Sequence, residues 1–338
     1  MEHLLKELCG INGTSGDERA VRSFIIEKIK DKCEYKVDNL GNIIAFKKGK
    51  STPKKKLMIS AHMDEVGLII TSVKSDGTLT FSPVGGIDAR VVIGRNVKIG
   101  DICGVVGSKA VHNLSESERK KAADFHDLYI DIGAEDENEA KKLVNLGDYA
   151  YFDSRIIKLD KDMICSKAID DRFGCAAMMK LIESELPYDV TFTFVVQEEV
   201  GLRGARAAAY NVEPDFAIVL EATTAADIPV AKGEERCCEV GKGPVVSYMD
   251  RSTIYDREMF LLSKEAAKEN NIPWQTKTMV AGGNDSGAIH ITKGGVRTLA
   301  ISIPCRYLHS PASAARLCDM ENSLALAEAM IEKVCSLD

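Results

Sequence analysis

The chain has 338 residues, 45% of them hydrophobic, and its 44 Lys and Arg against 51 Asp and Glu give a formal net charge of −7. That length supports a large core, and favours either one domain with an insertion or two domains. The mildly acidic balance without basic blocks argues against nucleic-acid binding, and no apolar run approaches the roughly 20 residues of a membrane span.

The opening "MEHLLKELCG" sets charges among apolar positions and reads as an amphipathic helix, not a signal peptide. Ten cysteines without a CxxC pair, several of them in apolar or small-residue runs, read as reduced thiols of a cytoplasmic protein. In "SGDERAVRSFIIEKIKDKC", Ser15 stands three residues before Glu18, a capping-box spacing, and Val21, Phe24, Ile25 and Ile29 share one helical face. "YKVDNLGNIIAFKKG" reads as two strands around Asn39–Asn42, and "KKLMISAH" as a buried strand ending in polar residues.

The texture then changes. From about Gly67 to Met163 short alternating strands dominate, separated by turn signals such as Ser75-Asp76-Gly77, which predicts a β-rich module. After Asp170 helices and strands alternate: "DRFGCAAMMKLIESEL", "DVTFTFVVQ", "GARAAAYNV", "FAIVLEA", "MFLLSKEAAKENN", "GVRTLAISIP" and a closing helix "MENSLALAEAMIEKVCSL". Such alternation predicts an α/β fold, a mostly parallel sheet flanked by helices. The expected domains are a catalytic one from residues 1–66 and 164–338, and an inserted β-rich one from residues 67–163.

In open α/β sheets, sites gather beyond the carboxyl ends of the strands. Those ends carry His62 and Asp64, Asp170 and Asp171, Glu198 and Glu199, Glu221 and Asp227, and His309. Each has an ordinary reading alone: a hydrogen-bonded pair, a helix cap, a solvated face, a partner for Arg206. Together they are improbable as packing, because buried charges are costly unless paired or bound to metal. The other histidines, His3, His112, His126 and His290, read as structural or surface residues. Two divalent ions fit the set, sharing Asp170, with His62 and Glu221 on one and Glu199 and His309 on the other. Asp64 then serves to orient the His62 ring, and the spare carboxylate Glu198 is free to move protons.

The segments "SAHMDEVG", "KAIDDRFG", "VVQEEVGLRGA", "AADIP", "GGNDSGAIH" and "ISIPCRYLHSP" resemble the signatures of the co-catalytic metallo-aminopeptidases, the group of glutamyl, deblocking and tetrahedral aminopeptidases. Some of its members once carried an endoglucanase label. The resemblance runs from "GTSGDE" to the last helix. It implies a PDZ-like dimerisation domain as the insertion, and homodimers assembling into a tetrahedral dodecamer. It also implies His62, Asp170, Glu199, Glu221 and His309 as metal ligands, a cis peptide between Asp170 and Asp171, and Asp64 and Glu198 as orienter and general base. Glu221 stands where an aspartate is commoner, and Asn284 and Ser286 stand where threonine and alanine are usual. The implied activity is hydrolysis of the N-terminal peptide bond of short peptides, with zinc, cobalt or manganese as the metal. The alternatives are a carboxypeptidase or deacylase of the same fold, an endoglucanase, and a non-enzymatic assembly protein.

Overall fold

The computed structural model describes residues 1–337. Its central sheet has eight strands, in the spatial order Glu34–Val37, Ile43–Lys47, Val190–Val195, Leu57–His62, Phe216–Thr224, Arg297–Cys305, Val245–Val246 and Gln275–Thr276. The four strands from Val190–Val195 to Arg297–Cys305 run parallel, and antiparallel pairings flank them on both sides.

Those central strands are almost continuously apolar because both faces of the sheet are covered. Side chains alternate between the two faces. Ile59, Phe192, Phe194, Ile218 and Leu220 join the main core, together with Phe173, Met178, Leu326 and Ile331 from two of the covering helices. Met58, Val195, Ala217 and Val219 point the other way, against Ala205, Ala208 and Ala209 of the helix Arg203–Val212.

The segment expected to be β-rich closes into a six-stranded barrel. Its order is Gly67–Val73, Leu79–Val84, Leu128–Asp131, Ile102–Ser108, Asn96–Ile99 and Tyr149–Phe152. The barrel has its own core, including Leu68, Ile70, Leu79, Val97, Ile130 and Phe152.

One local expectation is overturned. Ser15 does not cap the helix Arg19–Ile29; Glu18 stands at its N-cap without a side-chain cap bond. The Ser15 hydroxyl donates instead to Asp64 Oδ2 at 2.6 Å, and Glu18 Oε1 accepts from the backbone N–H of Gly16 and of Gln197. Buried acceptors and donors 49 and 179 residues away outcompete the local cap.

All ten cysteines are free; six of them, including Cys9, Cys175 and Cys305, are buried, while Cys103 is exposed. Among the described residues, no helix is long and apolar enough to cross a membrane.

Arg172 ties the N-terminal helix to the sheet. It is fully buried, and it donates to the carbonyls of Met63 (2.9 Å), Leu8 (2.6 Å) and Ile11 (3.0 Å). Its guanidinium also lies 3.5 Å from Glu65, which accepts from the buried Lys167 at 2.6 Å. Arg172→Leu strands these acceptors, and breaking a buried pair typically costs about 3–5 kcal/mol. A loss of unfolding free energy of that size in urea titrations is expected, and a loss under ~1 kcal/mol would show that the network is dispensable.

Candidate metal centre

The polar strand ends converge, as the parallel topology requires. His62 ends its strand with the side chain 1% exposed. Its Nε2 lies 3.2 Å from Asp170 Oδ1, 3.5 Å from Glu221 Oε1 and 4.0 Å from Glu198 Oε2. His309 approaches from the loop after Arg297–Cys305, with Nε2 3.5 Å from Asp170 Oδ2 and 3.3 Å from Glu199 Oε2. The two oxygens of Asp170 therefore face two different donor sets.

Several backbone positions around the cluster are unusual. Ala168, Gln197 and His309 all take left-handed φ angles, at 58°, 56° and 56°. Non-glycine residues hold that conformation only where their surroundings impose it. Asp170 and Asp171 have non-helical angles at the head of the helix Ile169–Glu183, and the peptide between them is cis.

Asp64 does more than stand beside His62. The nearer acceptor to His62 Nδ1 is the main-chain carbonyl of Asp64, at 3.1 Å, with its Oδ1 at 3.5 Å. The Asp64 carboxylate also accepts from the backbone N–H of Glu198 at 3.0 Å and of Glu199 at 3.2 Å. The N-terminal segment thus holds the Gln197–Glu199 turn twice, through Ser15 and Asp64 and through Glu18. In the sequence Ser15 and Glu18 showed only the spacing of a helix cap. Asp171 is also central: its carboxylate accepts from the backbone N–H of His62 and of Gly174, and with His62 and Glu221 it forms a group of donor atoms within 4.8 Å of one another. His62, Asp170 and Glu199 form a second such group.

The electrostatics are those of a crowded, buried set of carboxylates and imidazoles. Burial pushes the Glu198 and Glu221 carboxyls well up, and Glu199 to about 8. Burial opposes the charged form of His62, yet Glu221, Asp170 and Asp64 raise it well above its ordinary value. At Asp170 burial works upward, but hydrogen bonds from His309 and His62 hold it far below the ordinary carboxylate range. Among the described residues, neither Lys nor Arg forms an ion pair with Asp170, Glu198, Glu199 or Glu221. A buried carboxylate and imidazole set of this kind fits divalent cations, since coordination offsets the desolvation cost of the anions.

Other candidates are placed elsewhere. Asp227 forms a bidentate pair with Arg306, at 2.7 Å on both arms. Glu221 points into the cluster and not to Arg206. His3 pairs with the half-buried Glu7 and His126 with the exposed Asp124, and His290 Nδ1 bonds the Ser286 carbonyl. A groove of about 570 Å³, lined by Tyr35, Ile44 and Phe46, lies at the opposite, amino-terminal ends of the strands and carries no comparable set.

Known proteins resemble this chain over nearly its whole length. The family model described as M42 glutamyl aminopeptidase matches residues 41–326. A putative aminopeptidase of Acetivibrio thermocellus is 45% identical, over 99% of this chain and 98% of the relative. The lysyl aminopeptidase of Pyrococcus furiosus is 32% identical, over 99% and 98%. Among solved structures, the TET1 peptidase of Pyrococcus horikoshii, which can assemble into a tetrahedron or a large octahedral shell, superposes with a TM-score of 0.86 at 36% identity, covering 98% of each chain.

Glu18→Ala removes the buried acceptor of the Gln197 N–H while leaving every donor of the cluster in place. A displaced Gln197–Glu199 turn is expected to lower kcat about 10–100-fold, since small misplacements carry such losses. Steady-state kinetics on aminoacyl-chromophore substrates measure it, and wild-type kcat would show that Glu18 does not hold the turn.

Proposed function

This chain belongs to the M42 glutamyl aminopeptidase family, and we propose that it removes the N-terminal residue of short peptides with the aid of two divalent cations. It is a hydrolase of the aminopeptidase type. The observation that carries the two-cation reading is the division of Asp170, Oδ1 toward His62 and Oδ2 toward His309.

In this reading Asp170 is shared, His62 and Glu221 complete one position, and Glu199 and His309 complete the other. The donor set suits zinc, cobalt or manganese. When bound, such a pair supplies Lewis acidity, lowering the pKa of a water and polarising the scissile carbonyl.

The remaining work falls to the chain's own groups. Glu198 neighbours a ligand without being one, and its Oε2 lies 4.0 Å from His62 Nε2. It takes the proton of the attacking water and later gives it to the leaving amine. Asp64 holds Glu198 through the backbone, so the base stays aimed while its carboxyl remains free. The free α-amine of the substrate is drawn by the surplus of carboxylates, which restricts cleavage to the first peptide bond.

The assembly is proposed on the same footing. Residues 67–163 form an inserted, PDZ-like dimerisation domain within a catalytic unit of residues 1–66 and 164–338, and dimers associate into a tetrahedral dodecamer in the cytoplasm. The separate barrel core and the likeness to the TET1 peptidase support this.

Glu198→Gln is expected to keep its metal by elemental analysis and to lose about 10²–10⁴-fold in kcat, the scale of a general base; near-full activity would refute the role. His62→Ala and His309→Ala should each bind less metal, and unchanged content in both would remove the ligand set. N-acylated peptides should resist cleavage while the free peptides are hydrolysed. Equal rates on both would point to a carboxypeptidase, and faster loss of the acyl group to a deacylase.

A further inference from the structure

The two candidate histidines are held in different ways. His62 lies inside the catalytic sheet, and its Nδ1 meets the carbonyl of Asp64, two residues on. His309 sits on a loop with its side chain 39% exposed, and its Nδ1 meets the carbonyl of Gly86 at 2.8 Å, 223 residues away in sequence. Gly86 belongs to the inserted segment, in the turn that follows the barrel strand Leu79–Val84.

That turn is packed against the centre. Gly85 has φ +89°, and a Cβ there would lie 2.8 Å from Val66 Cγ1 and 3.2 Å from Glu199 Cβ. A Cβ on Gly86 would lie 3.4 Å from His309 Nδ1. The turn therefore touches both side chains assigned to one cation position, Glu199 by packing and His309 by a hydrogen bond. A neutral imidazole that donates from Nδ1 must carry its lone pair on Nε2, the atom that faces Asp170 and Glu199. The barrel is seated near the other side of the site as well, where Tyr149 donates its hydroxyl to the Ser15 carbonyl at 3.1 Å and Tyr151 bonds Asp17.

We propose that the Gly85–Gly86 turn is a positioning element of the metal centre. It sets the tautomer and direction of His309, so that the cation position of Glu199 and His309 depends on how the inserted barrel is seated. The position of His62 and Glu221 makes no such contact with this turn. This rests on the two-cation reading above.

The test uses the full-length protein and zinc. Gly85→Ala crowds Val66 at a φ that alanine resists, and so displaces the turn without changing a ligand. Equilibrium dialysis against buffered Zn²⁺ should show two ions on the wild type. The variant should bind the first as the wild type does and the second about 10–100-fold more weakly, the usual cost of losing such an orienting partner. His309→Ala should lose the same ion, and adding Gly85→Ala to it should cost nothing more. Equal weakening of both ions, unchanged binding, or a further loss in the double variant would overturn the proposal. A wild type that binds fewer than two ions would instead sink the two-cation reading, and the proposal with it. Should Gly85→Ala not fold, long-range ¹H–¹⁵N spectra of the zinc-loaded wild type still decide. The proton on Nδ1 of His309 supports the inference, and the proton on Nε2 refutes it.

Discussion

Mutual repulsion among buried carboxylates is the constraint around which this molecule is organised. Asp64, Asp170, Asp171 and Glu221 are all buried at strand ends, with Glu198 and Glu199 beside them. Burial, and after it the neighbouring Asp170, pushes the Glu199 and Glu221 carboxyls up, so these groups tend to take up protons. The fold keeps them together by giving several of them fixed partners. Asp171 is held by two backbone N–H groups, Asp64 by two more and by Ser15, and Asp170 by two imidazoles. What remains uncompensated is the charge that divalent cations would meet.

Much of the surrounding structure serves that arrangement. The parallel strands bring the donors to one edge of the sheet. The N-terminal segment reaches over that edge, and there Ser15 and Glu18 exchange their expected helix-capping bonds for bonds to Asp64 and the Gln197–Glu199 turn. Arg172 and Lys167 lie close behind, but their charge goes to Glu65 and to main-chain carbonyls, not to the cluster. The barrel then closes against the rim through Gly86, Tyr149 and Tyr151. The barrel is thus in contact with the candidate centre, not merely appended to the sheet.

Alternation of helix and strand, the apolar strands ending in acids, and the β-rich change of texture were all legible from residue type and spacing. So were the residues of the cluster, because a chain that buries ionisable groups at one strand end after another must compensate their charge. Less legible were the bonds made at long range. Ser15 and Glu18 have the spacing of a capping box, and only proximity to Asp64 and Gln197 diverts them. Asp171 stood in the set without an assigned role, and it is tied to His62 and Gly174 and joins a donor group. Asp227 looked like a member of the set and is instead paired with Arg306.

Periodicity and the cost of burying charge were enough to specify the α/β class, the β-rich module and the chemical type of the site, since each follows from residue type and local spacing. Which oxygen of Asp170 meets which histidine, and that a carbonyl of Gly86 meets His309, emerged from the folded chain alone. The physical reason is that hydrogen bonds act over about 3 Å. Partners 223 residues apart leave no mark in local sequence, and they meet only once two separate cores have packed.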